Sequence, residues 1–457
     1  MNAQTDGMIA ASLAHPPPTE SHTAEAVRPS RPWVTVFVMQ FLYVVAMVDR
    51  NLVALLVTPI KKSLGISDFQ VSLLQGTAFG LFFVLCGLFS GWLLDRFSRR
   101  KVVYWGVTVW SVCAASCGLA ANYLQLMLGR FGVGAGEAVL SPASYAMIST
   151  QFPKEKLGFA IGVWGTGSVI GGSVSLWLGG LVAGILTEKG PTTLPLIGFV
   201  EPWQQTFLLF GLPGLVLAPL VFLIHRSADH AAGHANASSL TPLRPFLRPR
   251  AKYLTLHFLA FGLVTLLAYG QSAWMPTFLL REFGLEMPVI GRMVALSGGI
   301  GGIAGFMIAG RTADRWLARG MEDAHYRYAL GAVVLLTIGG IASTAFASPL
   351  VCVVLTGACY FMTTVTGLAV VHLQITTPVA LRARVSALYL VVVNVIGLCC
   401  GPSVVAGFTD FLYRDPARVG SSIQLTFAIF GPLAVAMLWF GRPHALAALR
   451  AGASGPR

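Results

Sequence analysis

Apolar residues run along this chain in long blocks, not in the alternating or one-face spacing of a soluble core. About 20 apolar residues in a helix cross the hydrocarbon of a bilayer. Blocks of that length fall near 33–58, 70–94, 101–120, 122–149, 157–186, 203–225, 252–280, 289–311, 326–346, 348–373, 383–411 and 421–441. They predict an all-α membrane protein of twelve transmembrane helices. The polar, Pro-rich and basic stretch 226–251, RSADHAAGHANASSLTPLRPFLRPRA, breaks the series after the sixth block. It reads as a linker between two six-helix halves, 33–225 and 252–441. Residues 1–32 are rich in Pro, Ala, Ser and His and lack an apolar core, which predicts a disordered tail; residues 442–457 read as a C-terminal tail.

Composition agrees with the pattern. The chain is 55% hydrophobic and only 11% charged, against about 25% charged in soluble proteins. A net charge of +13 would suit a nucleic-acid partner, but the basic residues come in short clusters between apolar blocks. With both termini and the linker on the cytoplasmic side, that side holds 22 Lys and Arg and the opposite side 7. The positive-inside rule then sets the orientation, and nucleic acid is not expected. All seven cysteines lie in apolar runs without metal-ligand spacing, so neither a disulfide framework nor a metal centre is expected. Asn236-Ala-Ser fits a glycosylation acceptor but falls on the cytoplasmic linker. No nucleotide-binding motif occurs, which argues against ATP drive. The Ala/Arg-rich composition and short loops point to a bacterial inner membrane.

The two halves echo each other. GWLLDRFSRRK at 91–101 follows the second block and GRTADRW at 310–316 follows the eighth; both contain Gly-x-x-x-Asp-Arg, 219 residues apart. FPKEKLGFAIG at 152–162 is echoed by TPVALRARVSA at 377–387. Two related halves joined by a linker are what a rocking transporter needs.

These motifs also carry a family resemblance. GWLLDRFSRRK resembles the loop motif of the major facilitator superfamily, with Ser98 where Gly is usual. GRFGVGAGE resembles the fourth-helix motif of that superfamily. DRN at 49–51, LGISDFQVSLLQGTAFGLFFVL at 64–85 and RFGVGAGEA at 130–138 together resemble its Spinster-like branch, which includes lysolipid and sphingosine-1-phosphate transporters. Related organic-anion transporters share the Asp-Arg pair of the first span. The resemblance covers about 33–441 and implies the two-half fold and alternating access.

Charges inside the spans are the candidate chemistry. Arg130 and Glu137 lie two helical turns apart on one face, about 10 Å along the axis. Gly132, Gly134 and Gly136 between them leave room for a neighbouring helix. Charge facing lipid is costly, so this face is expected to point inward. A static ion pair would look the same in sequence. Asp49 and Arg50 point about 100° apart; Asp49 is expected to face the central cavity and Arg130, and Arg50 the cytoplasmic or interdomain side. Burial disfavours a carboxylate's charged form and a nearby guanidinium favours it. Asp49, Glu137 and Arg130 are therefore the expected proton-coupling residues, with Arg50 in their network.

The resemblance further implies a cytoplasmic latch. Asp95 would cap the N-terminus of the eleventh span, with Arg96, Arg99 and Arg100 around it, and Asp314 with Arg315 as a weaker copy. Gly167, Gly171, Ser175 and Gly179 form a small-residue stripe in the fifth span. Polar and aromatic residues expected at the cavity are Gln40, Tyr43, Arg130, Tyr269, Gln271, Trp274, Tyr360, Thr363, Tyr389 and Asn394. His257 and His372 read as structural.

The whole reads as a secondary active transporter, proton-coupled, moving an amphipathic lysolipid or sphingolipid-like anion. The alternative is a proton-coupled symporter of a small aromatic or sugar acid. Its partners are the substrate, protons and membrane lipids; no cofactor is expected, and the chain reads as a monomer. An enzyme is not expected: the two histidines have no evident acid partner, and catalysis gives no reason for the repeat.

Overall fold

The computed structural model describes residues 31–195, 198–225, 243–378 and 381–453. The expected N-terminal tail and most of the linker, Asn236 included, lie outside them. The chain is almost wholly helical: α1 Pro32–Leu55, α2 Val57–Leu64, α3 Asp68–Arg96, α4 Arg99–Cys117, α5 Tyr123–Glu137, α6 Leu140–Ser149, α7 Lys154–Lys189 and α8 Pro202–Leu223 precede the linker. After it come α9 Leu243–Leu247, α10 Ala251–Phe283, α11 Met287–Ala318, α12 Ala324–Ala342, α13 Pro349–Thr376, α14 Arg384–Tyr413 and α15 Pro416–Arg450.

Ten helices among the described residues are long and apolar enough to cross a membrane. The third and fourth expected spans are present as α4 and the pair α5–α6. α4 begins with three basic residues, Arg99 to Lys101, and the fourth span is interrupted at Ala138 and Val139. The expected end at 441 is also exceeded, since α15 runs on to Arg450. One element departs from the helical reading: β1, Thr192–Leu194, pairs antiparallel with β2, Gly198–Val200, with Thr192 opposite Val200.

Helix association in lipid has no hydrophobic drive, so close packing and interhelical hydrogen bonds must hold the bundle. The small-residue stripe of α7 does this against α1. A Cβ on Gly171 would come within 2.6 Å of Met47, and Ser175 donates to the Val48 carbonyl at 3.0 Å.

The halves meet most firmly at the face away from the linker. Ser67 and Gln70 form a capping box that starts α3 and puts Asp68 in its first turn. Asp68 is fully buried there. Its carboxylate accepts two bonds from Arg281 at the end of α10, at 2.7 and 2.8 Å, and one from Lys61 at 2.9 Å. Arg281 also donates to the Pro416 carbonyl. Asp410 of α14 accepts from the Phe69 backbone N–H at 2.6 Å, and Ser72 meets Ser403 at 3.2 Å. Deeper in, a π-turn in α3, Leu73–Ala78, lies against a π-turn in α14, Val395–Cys399. Thr77 donates to the Cys399 carbonyl, and a Cβ on Gly76 would come within 2.6 Å of the Leu398 carbonyl oxygen. At the opposite, linker face, Asp95, Arg96 and Phe97 are exposed.

Candidate functional site

Four charged side chains gather in the core of the first half. Asp49, Arg130 and Glu137 are each no more than 3% exposed. Arg50 donates to Glu137 at 2.7 Å. Its guanidinium lies over the rings of Phe79 and Phe83, 4.6 and 4.9 Å from their centroids. Arg130 sits 5.3 Å from the Phe79 centroid, so one ring serves two cations. Arg130 Nε donates to the Leu74 carbonyl in the π-turn at 3.2 Å, and Nη1 to the Asp49 backbone carbonyl at 3.4 Å.

The glycines explain how helices close on this cluster. A Cβ on Gly134 would collide with the Phe79 carbonyl oxygen, and one on Gly136 would come within 2.6 Å of the Trp110 nitrogen. α5 thus lets α3 approach on one side and α4 on the other.

The pairing differs from the expected one. Arg50, not Asp49, faces the cavity, and it takes Glu137 as partner. Arg130 bonds backbone oxygens rather than either carboxylate, and it lines neither cavity below. The cause is the 100° step between positions 49 and 50 together with the long Arg50 arm, which reaches across Phe79. The cluster is also unsaturated. Asp49 Oδ2, Arg50 Nε, Arg130 Nη2 and Glu137 Oε1 are buried without a hydrogen-bond partner, as are both amide atoms of Gln75.

A chamber of about 350 Å³ lies between the halves. Its polar lining includes Asn51, Ser168, Ser173, Ser272 and Thr366, with Tyr269, Tyr360 and Thr363. Val169, Leu176, Val294 and Phe306 supply an apolar wall. Arg50 and Gln75 line an adjacent recess of about 40 Å³, which shares Asn51, Tyr269 and Ser272 with the chamber.

Of the expected cavity residues, Tyr269, Tyr360 and Thr363 line the chamber. The others do not. Gln40 bonds Thr166, Tyr43 stacks on Trp164, Gln271 donates to Ser343, Trp274 donates to the Pro402 carbonyl, and Asn394 bonds the Leu390 carbonyl of its own helix. Tyr389 is buried beside His257 and Phe258. His257 and His372 lie stacked 6.0 Å apart in the second half's core, with His257 bonded to Tyr326.

Apart from Thr363, sequence reasoning missed the serines and threonines of the chamber. Ser168 and Thr366 each bond a carbonyl of their own helix, so nothing in the sequence separates them from ordinary helical hydroxyls. The expected latch residues are dispersed here. Asp95 and Asp314 are exposed and make no ion pair among the described residues. Arg96 lies over Trp92, Arg99 donates to the Ala146 carbonyl, Arg100 donates to the Ile224 carbonyl, and Arg315 is exposed.

The family model described as Major Facilitator Superfamily matches residues 39–402. An "MFS-type efflux pump" of Mycolicibacterium smegmatis is 27% identical over 394 residues, covering 85% of this chain and 86% of that protein. A "Probable L-galactonate transporter" of Escherichia coli is 26% identical, covering 67% of this chain and 66% of that protein. Among solved structures, a bacterial homologue of the human lysosomal transporter Spinster, inward-facing and occupied, superposes with a TM-score of 0.71. It is 21% identical and covers 93% of this chain and 97% of that one.

Proposed function

The chain belongs to the major facilitator superfamily, and from that membership we propose a proton-coupled secondary transporter of the Spinster-like branch that carries an amphipathic anion by alternating access. The linker face is the cytoplasmic one, as the 22-to-7 distribution of Lys and Arg supports. The reading rests on one observation: the cation at the cavity wall, Arg50, is held by a carboxylate, Glu137, that a substrate anion can replace.

When a substrate's anionic head takes Arg50, Glu137 loses its partner inside the core. A lone buried carboxylate is costly, so it takes up a proton. Asp49, close by and without an ion pair, is the second proton acceptor. Arg130 stays on the Leu74 and Asp49 carbonyls and fixes α5 against α1 and α3. Substrate binding and protonation are then linked, because each state favours a different pairing. The latch of Asp95 with Arg96, Arg99 and Arg100, and its copy at Asp314 and Arg315, closes in the opposite, outward-facing state.

The substrate class we favour is a lysolipid or sphingolipid-like anion, its head at Arg50 and its chain along the wall of Val169, Leu176 and Phe306. A second reading, a small hydroxylated acid, is favoured by the chamber's hydroxyl-rich lining and by the L-galactonate named for one relative. Flux of labelled lysophospholipid and of labelled galactonate into proteoliposomes, each with and without a pH gradient, separates the two. Gradient-driven lysophospholipid flux lost in Arg50→Ala supports the first; galactonate flux alone supports the second. Neither flux moving with Arg50 would remove the ion pair from the mechanism.

A further inference from the structure

At the linker face, the start of α10 and the end of α15 leave a cavity of about 490 Å³ between them. Arg248, Arg250, Lys252 and His444 line it, with Tyr253 and Ala448 beside them. Among the described residues, no acidic side chain is in the lining. The acids that meet α15 in this region are engaged: Asp323 pairs with Arg327 and Arg442, and Glu322 with Arg450. The Arg250 guanidinium is held over the Phe246 ring, 4.6 Å from its centroid, and its Nε is buried without a partner.

Three permanent cations facing one cavity repel each other. An anion with several acceptor oxygens relieves that repulsion and satisfies the Arg250 Nε at once. Guanidinium groups bind phosphate through a planar fork, and an ammonium adds a point charge. The cavity also has a fixed height. It opens at the first turn of one membrane-crossing helix and the last turns of another, and the ends of such helices meet the lipid headgroup region.

We propose that this cavity binds a phosphate group, supplied by an anionic phospholipid of the surrounding leaflet. The site is separate from the transport chamber. It joins the start of α10 to the end of α15. The reading is independent of which substrate the chamber carries.

The test is binding of fluorescent phosphatidylglycerol to purified full-length protein in neutral detergent. The triple variant Arg248→Gln/Arg250→Gln/Lys252→Gln is compared with Lys101→Gln/Lys156→Gln/Arg319→Gln, which removes the same charge from exposed positions elsewhere on the linker face. Binding is expected to weaken about tenfold or more in the first, and to hold in the second. Fluorescent phosphatidylcholine is expected to show no difference between the two. Equal losses in both triples, or full binding in the first, would overturn the site. If the first triple does not fold, Arg248→Gln and Lys252→Gln singly, both at exposed positions, are each expected to cost about threefold to fivefold; unchanged binding in both would overturn it as well. Competition with sn-glycerol 3-phosphate distinguishes the source. No displacement assigns the phosphate to a lipid; full displacement overturns the lipid source in favour of a soluble phosphate ester.

Discussion

Two of the buried charge groups among the described residues are built to opposite rules. At the face away from the linker, Asp68 accepts three bonds from Arg281 and Lys61, and its oxygens are used. In the core of the first half, Asp49, Arg50, Arg130 and Glu137 share one ion pair among them and leave atoms of all four unbonded. Breaking a saturated buried ion pair by removing one partner strands a charge. An unsaturated cluster has partners to spare and can exchange them. The first arrangement suits a seal between halves, the second a site that takes and releases charge.

The largest expected effect tests whether the core cluster can form at all. Gly134→Val puts a branched side chain where a Cβ already collides with the Phe79 carbonyl; expression in the folded state, read by monodisperse gel filtration, is expected to be lost. Next comes the contrast itself. Arg281→Ala removes two of the three bonds to Asp68 and leaves it Lys61 alone, and is expected to cost about 2 kcal/mol in thermal unfolding. Arg50→Ala is expected to cost less, because Glu137 can take a proton, while flux falls about 30-fold or more. Equal stability losses in the two variants would erase the distinction. Glu137→Gln sharpens it further: unfolding within about 1 kcal/mol of wild type, with flux that responds more weakly to an imposed pH gradient. The smallest effect is Phe79→Leu, which removes the ring under both guanidiniums and is expected to cost about 1 kcal/mol, measured by chemical denaturation in detergent.

Much of this was legible in the sequence, for physical reasons. The spans follow from block length, and the Gly132–Gly136 pattern marked where helices close. That Arg130 and Glu137 are buried followed from the cost of charge in lipid. The Arg50–Glu137 pair was not legible. The angular step between Asp49 and Arg50 shows that the two diverge, but which one faces the cavity depends on how α1 is rotated in the bundle. Packing of Gly171 and Ser175 against Met47 and Val48 fixes that rotation. Asp68 was missed because Ser67 and Gln70 make it look like a residue in an ordinary helix start. Its partner Arg281 stands 213 residues away.

The facing π-turns set the arithmetic of the contact between halves at Asp68. A π-turn holds one residue more than an α-turn, so Leu73–Ala78 stores a spare link in α3. Deleting a single residue there would turn it into plain α-helix and leave every backbone bond satisfied. It would also swing everything before it by about 100°, carrying Asp68 off Arg281 and Phe69 off Asp410. The closure of that face is thus counted out one residue at a time, about two helical turns from where it acts.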